Sequence, residues 1–256
     1  MDGDKKILVF IPAYNAASTL PLVIDRIPES IKKKVKIIVI DNASPDNTYL
    51  TAIGYKEDRG LSNLEIIRNE QNRGYGGSQK RAYQYSIDNG FDIVVMLHGD
   101  AQYAPEYMQT LLEPVEKGQA DLVFGSRMRG EPLKGGMPVW RFIGNRVLTM
   151  IENKVLDLNL SEFHSGYRVY SVEALKKIPF QRCSNDYHFD TDIFIQLKIG
   201  GFRIAEQPIP THYDKRSRSP TVWETFNYSF NILKAMLEYL LHKNGFRIVG
   251  KFDFKV

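Results

Sequence analysis

The chain has 256 residues, a length that suits one large domain or a domain with a short extension. Its apolar share of 43% and charged share of 25% match ordinary globular proteins and exclude a fibrous or disordered chain. The single cysteine, Cys183, excludes an intramolecular disulfide and a cysteine-based zinc cluster.

The formal charge is +4, and residues 213–256 hold all of that excess, with eight Lys/Arg against four Asp/Glu. An anionic lipid surface, a phosphorylated substrate or an ordinary solvated face would suit such an end. The excess is small and aromatic RNA-binding motifs are absent, so nucleic acid is not an expected partner. No apolar run approaches the roughly 20 residues of a membrane span. The first apolar run, residues 7–11, is too short for a signal peptide. The expected location is cytoplasmic, peripheral to the cytoplasmic membrane face.

In chain order, residues 7–11 read as a buried strand ended by Pro12, and Ser18 can cap a helix to about Ile27. Residues 35–40 form the next strand, cut off by Asp41-Asn42-Ala43-Ser44-Pro45, with a helix from near Asp46 to about Arg59. Residues 64–67 are a third strand, 69–77 a glycine-rich loop, and 78–88 a helix. A fourth strand, 93–97, stops at Gly99, and Asp100 and Gln102 follow at once. A helix over 105–117 and a strand over 121–125 complete the regular part. This alternation predicts an α/β fold, a mostly parallel sheet flanked by helices.

The later half is less regular. Residues 130–138 read as a loop, 139–156 as a helix, and 165–171 and 202–207 as strands. The basic loop Lys215-Arg216-Ser217-Arg218 precedes an amphipathic helix over 223–241. That helix gathers Trp223, Phe226, Phe230, Leu233, Leu237 and Leu240 on one face. The face could pack on its own domain or meet a membrane.

Ligands of open α/β sheets sit outside the carboxyl ends of the strands. Asp100 and Gln102, a carboxylate and an amide two residues apart at such an end, could hold Mg²⁺ or Mn²⁺, or simply shape a turn. Gly74-Tyr75-Gly76-Gly77 could offer N–H groups to an anion, with Lys80 and Arg81 adding charge. It is neither a Walker loop nor a dinucleotide fingerprint. Asp41 could accept hydrogen bonds from a base or ribose, or close an Asx-type turn. Arg127 could grip phosphate oxygens or form a surface ion pair. The histidines lack zinc spacing, and no Gly-x-Ser-x-Gly elbow occurs.

Six segments share the order and spacing of one family: Ile11-Pro12-Ala13-Tyr14-Asn15, Ile40-Asp41-Asn42-Ala43-Ser44, Asn72-Arg73-Gly74-Tyr75-Gly76, residues 98–103, Gly125-Ser126-Arg127 and Ser165-Gly166-Tyr167-Arg168. Together they resemble the family 2 glycosyltransferases, within them the dolichyl- and polyprenyl-phosphate hexosyltransferases. The resemblance implies a GT-A (Rossmann-like) domain over residues 1–212, with a nucleotide-sugar half (1–127) and an irregular acceptor half (128–212). The basic loop, amphipathic helix and tail of 213–256 follow it.

It also implies an inverting enzyme whose partners are a nucleotide-diphosphate sugar and a polyprenyl-phosphate or saccharide acceptor. Pro12, Ala13, Tyr14 and Asn15 would line the nucleobase pocket, and Asp41 would bind base or ribose. Gly74 and Lys80 would assist the nucleotide. Asp100 and Gln102 would hold the metal and diphosphate, and Arg127 the phosphates or the acceptor. Arg141 and Asn145 would take the acceptor phosphate, Ser165 and Arg168 would line the acceptor side, and Arg216 or Arg218 would close over it.

Three departures stand out. His98 replaces the first acid of the family's Asp-x-Asp, Asn15 and Asn42 stand where acids are common, and Glu162-Phe163-His164 replaces Asp-Pro-Thr. A lipid-phosphate acceptor needs no general base, because its second pKa of about 6 leaves it ionised. A hydroxyl acceptor does need one, and Asp190 is preferred to Asp192 for that role. A non-catalytic nucleotide-sugar-binding module is the remaining alternative.

Overall fold

β-branched and large apolar runs form the strands β1 (Ile7–Ala13), β2 (Lys36–Asp41), β3 (Leu64–Arg68), β4 (Ile93–Met96), β5 (Leu122–Ser126), β6 (Arg168–Ser171) and β7 (Ile204–Pro208). The helices are α1 (Leu20–Asp25), α2 (Glu29–Lys32), α3 (Thr48–Asp58), α4 (Gly74–Asp88), α5 (Met108–Glu116), α6 (Val139–Leu156), α7 (Val172–Lys177), α8 (Phe189–Ile199) and α9 (Val222–Lys243). The computed structural model describes residues 5–211, 213 and 222–256.

The strands join one sheet in the order β3-β2-β1-β4-β6-β5-β7. β1 lies parallel to β2 and β4, β2 to β3, and β5 to β7. β6 enters antiparallel between β4 and β5. It is shorter than the expected run from Ser165, because the chain is still irregular through Tyr167. Alternate residues of β1 feed two cores: Ile7, Val9 and Ile11 pack on the α1 and α5 side. Leu8 and Phe10 pack on the α4 and α8 side. This period of two places helices on both faces and leaves the carboxyl edge of the parallel strands for a site.

Other boundaries moved as well. The expected loop over 69–77 is shorter, because Gly74 to Gly77 already form the first turn of α4. A Cβ on Gly74 or Gly76 would collide with the backbone carbonyls of Asn185 and Ser184, so glycine lets that turn lie against this segment. The expected helix over 105–117 opens with a 3₁₀ turn, Pro105–Tyr107.

The two long helices of the second half both leave large apolar residues exposed. α6 buries Asn145, Thr149 and Glu152 and exposes Val139, Trp140, Ile143, Val147 and Met150. α9 packs through Ile232, Ala235, Met236 and Tyr239. Its predicted apolar face is turned outward, with Trp223 75% and Phe226 63% exposed and Phe230, Leu233 and Leu237 also exposed. α6 and α9 touch each other.

Candidate active site

A cavity of about 660 Å³ opens beyond the carboxyl ends of β1, β2, β4 and β5. Its first arm is walled by Pro12, Ala13, Tyr14 and Asn15 after β1, with Asn42, Asn72 and Gly74 opposite. Asn15 (φ 54°) and Ala43 (φ 56°) are left-handed, an uncommon backbone for non-glycine residues, which Asn tolerates best. Asn42 ties this wall together. Its amide nitrogen donates to Asn72 Oδ1 (2.8 Å) and Gly74 O (3.2 Å), and its oxygen accepts from Asn69 Nδ2 (2.8 Å) and Arg73 N (2.9 Å). A carboxylate could not donate to the first two, which explains an amide where an acid was expected.

Two expected nucleotide ligands, Asp41 and Lys80, do not line the cavity. Asp41 is wholly buried, accepts from Ser44 N (3.2 Å) and lies 3.2 Å from Arg68 Nε. It shapes the turn after β2 and does not reach the cavity wall. The first turn of α4 does not present its N–H groups to an anion, since Gly76 and Gly77 both donate to Asn185 O (2.7 and 3.3 Å). Gly74 lines the cavity through its own backbone. Lys80 donates to Cys183 O and to Asn185 Oδ1 (2.7 Å), so its ammonium anchors the same 183–185 segment.

At the end of β4, Asp100 and Gln102 both line the cavity, with left-handed Ala101 (φ 62°) between them. Asp100 Oδ1 also accepts from Gln102 N at 3.1 Å. A carboxylate and an amide oxygen facing one space fit a hard divalent cation. Among the described residues no group of three or more His, Cys, Asp or Glu could hold a metal. Such an ion would therefore complete its shell with diphosphate oxygens and water, as Mg²⁺ usually does. His98 does not replace the missing acid. Burial lowers its pKa despite Asp100 and Asp190, so the imidazole stays neutral at neutral pH.

His98 belongs instead to a chain across the cavity floor. Its Nε2 lies 3.2 Å from the Tyr75 hydroxyl, which donates to Asp190 Oδ2 at 3.0 Å. Tyr75 has one proton, and Asp190 takes it, so His98 Nε2–H must donate to the phenol oxygen. Asp190 Oδ1 accepts from Gln79 (3.2 Å) and lies 3.1 Å from Arg168 Nη1. Gly166 faces the His98 ring, where any Cβ would collide with the imidazole.

The remaining lining residues, taken together as a second arm, come mainly from α6, α9 and the chain after β5. Arg127 is gripped by the buried carboxylate of Glu162, from Nε (3.0 Å) and Nη2 (2.5 Å), and its Nη1 donates to the Tyr213 hydroxyl at 3.3 Å. Burial alone would raise the pKa of Glu162, but the charge and hydrogen bonds of Arg127 bring it below the usual range. Asn145 donates to the same carboxylate at 3.3 Å. Arg141 lies against Trp140 and Tyr213, its guanidinium carbon 5.4 and 5.8 Å from the ring centres. Arg127, Arg141 and Asn145 all line the arm.

Two expected acceptor ligands do not line it. Arg168 is wholly buried, donates to Ser165 O (2.7 Å) and Phe163 O (2.9 Å), and stacks 4.9 Å from the Phe194 ring centre. It also pairs with Asp190. Ser165 is buried behind the wall. Arg216 and Arg218 lie outside the described residues.

Residues 8–179 match the family model described as Glycosyl transferase family 2, two thirds of the chain. The chain belongs to glycosyltransferase family 2. Among its relatives is the undecaprenyl-phosphate mannosyltransferase of Micrococcus luteus, 28% identical over 80% of this chain and 82% of that one. The UDP-N-acetylglucosamine–dolichyl-phosphate N-acetylglucosaminyltransferase of Methanococcus voltae is 28% identical over 93% and 99%. The glucosyl-3-phosphoglycerate synthase of Mycobacterium tuberculosis, solved with Mn²⁺, UDP-glucose and phosphoglyceric acid, superposes with a TM-score of 0.70. At 21% identity over 92% of this chain and 80% of that one, it shows the shared GT-A fold.

Family 2 membership makes the chain a glycosyltransferase, and the first arm is where its strand-end motifs converge. The site also holds residues that the sequence reading did not assign to it. Tyr75, Gln79 and Tyr103 brace its floor, the last accepting from Gly166 N at 2.7 Å. Glu162 was legible only as a departure from the family pattern. Its partner Arg127 lies 35 positions away, a separation no local periodicity reveals.

Proposed function

We propose that the chain moves a hexose, with inversion, from a UDP- or GDP-sugar to the phosphate of a polyprenyl or dolichyl lipid at a membrane surface. One observation carries this reading. α6 and α9 line the second arm mainly with polar residues, Arg141, Asn145, Glu224, Thr225 and Ser229, while Trp140, which also lines it, and Val139, Ile143, Trp223 and Phe226 are exposed. A phosphate could then enter the arm while its hydrocarbon chain stays in the apolar phase against the two helices. Each large apolar side chain withdrawn from water would contribute about 1.5–3 kcal/mol. Arg146 on the outward side and the basic end of the chain add attraction to anionic headgroups. No helix among the described residues is long and apolar enough to cross a membrane, so the contact would be peripheral. Two relatives named for lipid-phosphate acceptors agree with this acceptor class.

The mechanism follows from what each arm offers. Pro12 to Asn15 would hold the nucleoside, and Asp100 with Gln102 would hold Mg²⁺ or Mn²⁺ against the diphosphate. When bound, the ion supplies charge stabilisation for the leaving diphosphate. Arg127, its charge fixed by Glu162, adds a second cation facing the phosphates. Arg141 and Asn145 would orient the acceptor phosphate for attack on the opposite face of the sugar. That phosphate is ionised at neutral pH, so no side chain has to remove a proton. Asp190 would serve as the base for a hydroxyl acceptor, but both of its oxygens already engage the cavity floor.

A panel of UDP- and GDP-sugars against polyprenyl phosphate and free saccharides, with and without Mn²⁺, tests this. The expected product is a lipid-linked hexose from one donor, formed faster with the ion. Faster transfer to a saccharide, or donor binding with no transfer at all, would overturn the reading.

A further inference from the structure

Behind the second arm lies a buried pair that the mechanism above does not use. Glu152, on the inner face of α6, places Oε2 3.0 Å from Nε2 of His164. Neither carboxyl oxygen nor Nε2 has a hydrogen-bond partner among the described residues, so a proton between the two is the available way to satisfy them. Glu152 is fully buried, and the 7% of the His164 side chain that remains exposed faces the cavity. The ring of Tyr228 on α9 stands edge-on to the imidazole at 5.7 Å.

Burial raises the Glu152 carboxyl well above the carboxylate range in spite of Arg168. Burial likewise holds His164 down to about 3, against Glu162 and with Arg127 and Arg168. Burial therefore favours the uncharged pair, a carboxylic acid beside a neutral imidazole. The acid proton points at Nε2, and the ring's own proton must then sit on Nδ1.

We propose that His164 donates its Nδ1–H to the acceptor phosphate, beside Arg127 and Arg141, and that Glu152 is the positioning residue that sets this tautomer from behind. The proposal rests on the lipid-phosphate reading above. An ionised phosphate oxygen only accepts, so a ring presenting N–H suits it, whereas a ring presenting a lone pair repels it.

The tautomer is read first, from the ¹⁵N shifts of His164 in the full wild-type chain, with no acceptor present. Nδ1–H at pH 7 is expected, and Nε2–H would overturn the proposal. In the transfer assay, His164→Leu should raise the acceptor KM about tenfold or more, the effect of losing a hydrogen bond to a charged group. The donor KM should stay within about twofold, and His164→Asn, which keeps an N–H near the Nδ1 position, should restore much of the loss.

The pH profile separates this from a packing role. As pH rises and Glu152 ionises, its carboxylate takes Nε2–H and a lone pair turns to the phosphate, so the wild-type acceptor KM should climb. The facing groups are Arg168 from β6, Arg127 and Glu162 from the adjoining loops, and Tyr228 from α9. Glu152→Gln has no proton to lose and should lack the climb. An unchanged acceptor KM in His164→Leu, or one profile shared by wild type and Glu152→Gln, refutes the role. Absence of any lipid-phosphate transfer by the wild type refutes the acceptor reading itself, and the proposal with it.

Discussion

Replacing Glu162 by Gln removes one negative charge from a fully buried site and leaves Arg127, itself almost buried, without its counter-ion. The carboxylate accepts from three atoms of Arg127, from Met128 N and from Asn145 Nδ2. An amide of the same shape keeps some of these bonds and must turn its own N–H groups toward others. Breaking one partner of a buried pair costs about 3–5 kcal/mol, and the retained hydrogen bonds place Gln at the lower end. With a urea m-value of about 3 kcal/mol/M for a chain of this size, the unfolding midpoint at pH 7 should fall by about 1 M.

The pH dependence gives the sign. Glu162 has a folded pKa below its ordinary value, so its contribution is fully present above the ordinary carboxylate range and fades as pH falls through the lowered one. The wild-type advantage over Glu162→Gln should therefore be largest at neutral pH and shrink in acid. The assay is a pair of urea titrations across that window, with circular dichroism as readout. A midpoint shift below about 0.2 M at pH 7, or a gap that does not narrow in acid, would refute the picture of a buried, charged clamp.

Asp100→Asn should lower transfer by about 100-fold or more and shift the Mn²⁺ dependence to higher concentration, because the remaining strand-end ligands are neutral; unchanged rates would remove Asp100 from the donor site. Arg168→Met leaves Asp190 buried without its cation, and a loss of about 3 kcal/mol should lower Tm by roughly 6–12 °C in calorimetry. A Tm within about 2 °C of wild type would show that the Asp190 ion pair contributes nothing. Replacing Trp223, Phe226 and Phe230 by Ser should leave Tm nearly unchanged, since all three are exposed, while flotation with anionic vesicles is lost. Unchanged flotation would locate membrane contact elsewhere.

Much of the strand-end wall of the cavity was legible in sequence because it is written in local runs. Apolar strands ending in Pro12, Asp41, Asp100 and Ser126 announce a parallel sheet whose carboxyl edge carries the chemistry. The cavity does gather Pro12 to Asn15, Asp100, Gln102 and Arg127. The tertiary structure decided which of the charged residues line the cavity and which are paired away from it. Asp41, Lys80 and Arg168 looked like ligands because they are charged and near motifs. In the structure each has a partner distant in sequence: Arg68, the 183–185 segment and Asp190.

The helices divide in the same way. The periodicity of residues 223–241 determined that α9 is an amphipathic helix, and nothing local says which face is buried. Burial is fixed by what the helix meets, and α9 meets α6 and α8 through Ile232, Ala235, Met236 and Tyr239. The aromatic stripe is left outside for that reason. The sequence alone determined the alternation of strands and helices and the family resemblance. Only packing between residues far apart in the chain decided that Glu162 clamps Arg127, that Glu152 backs His164, and that the apolar faces of α6 and α9 point away from the core.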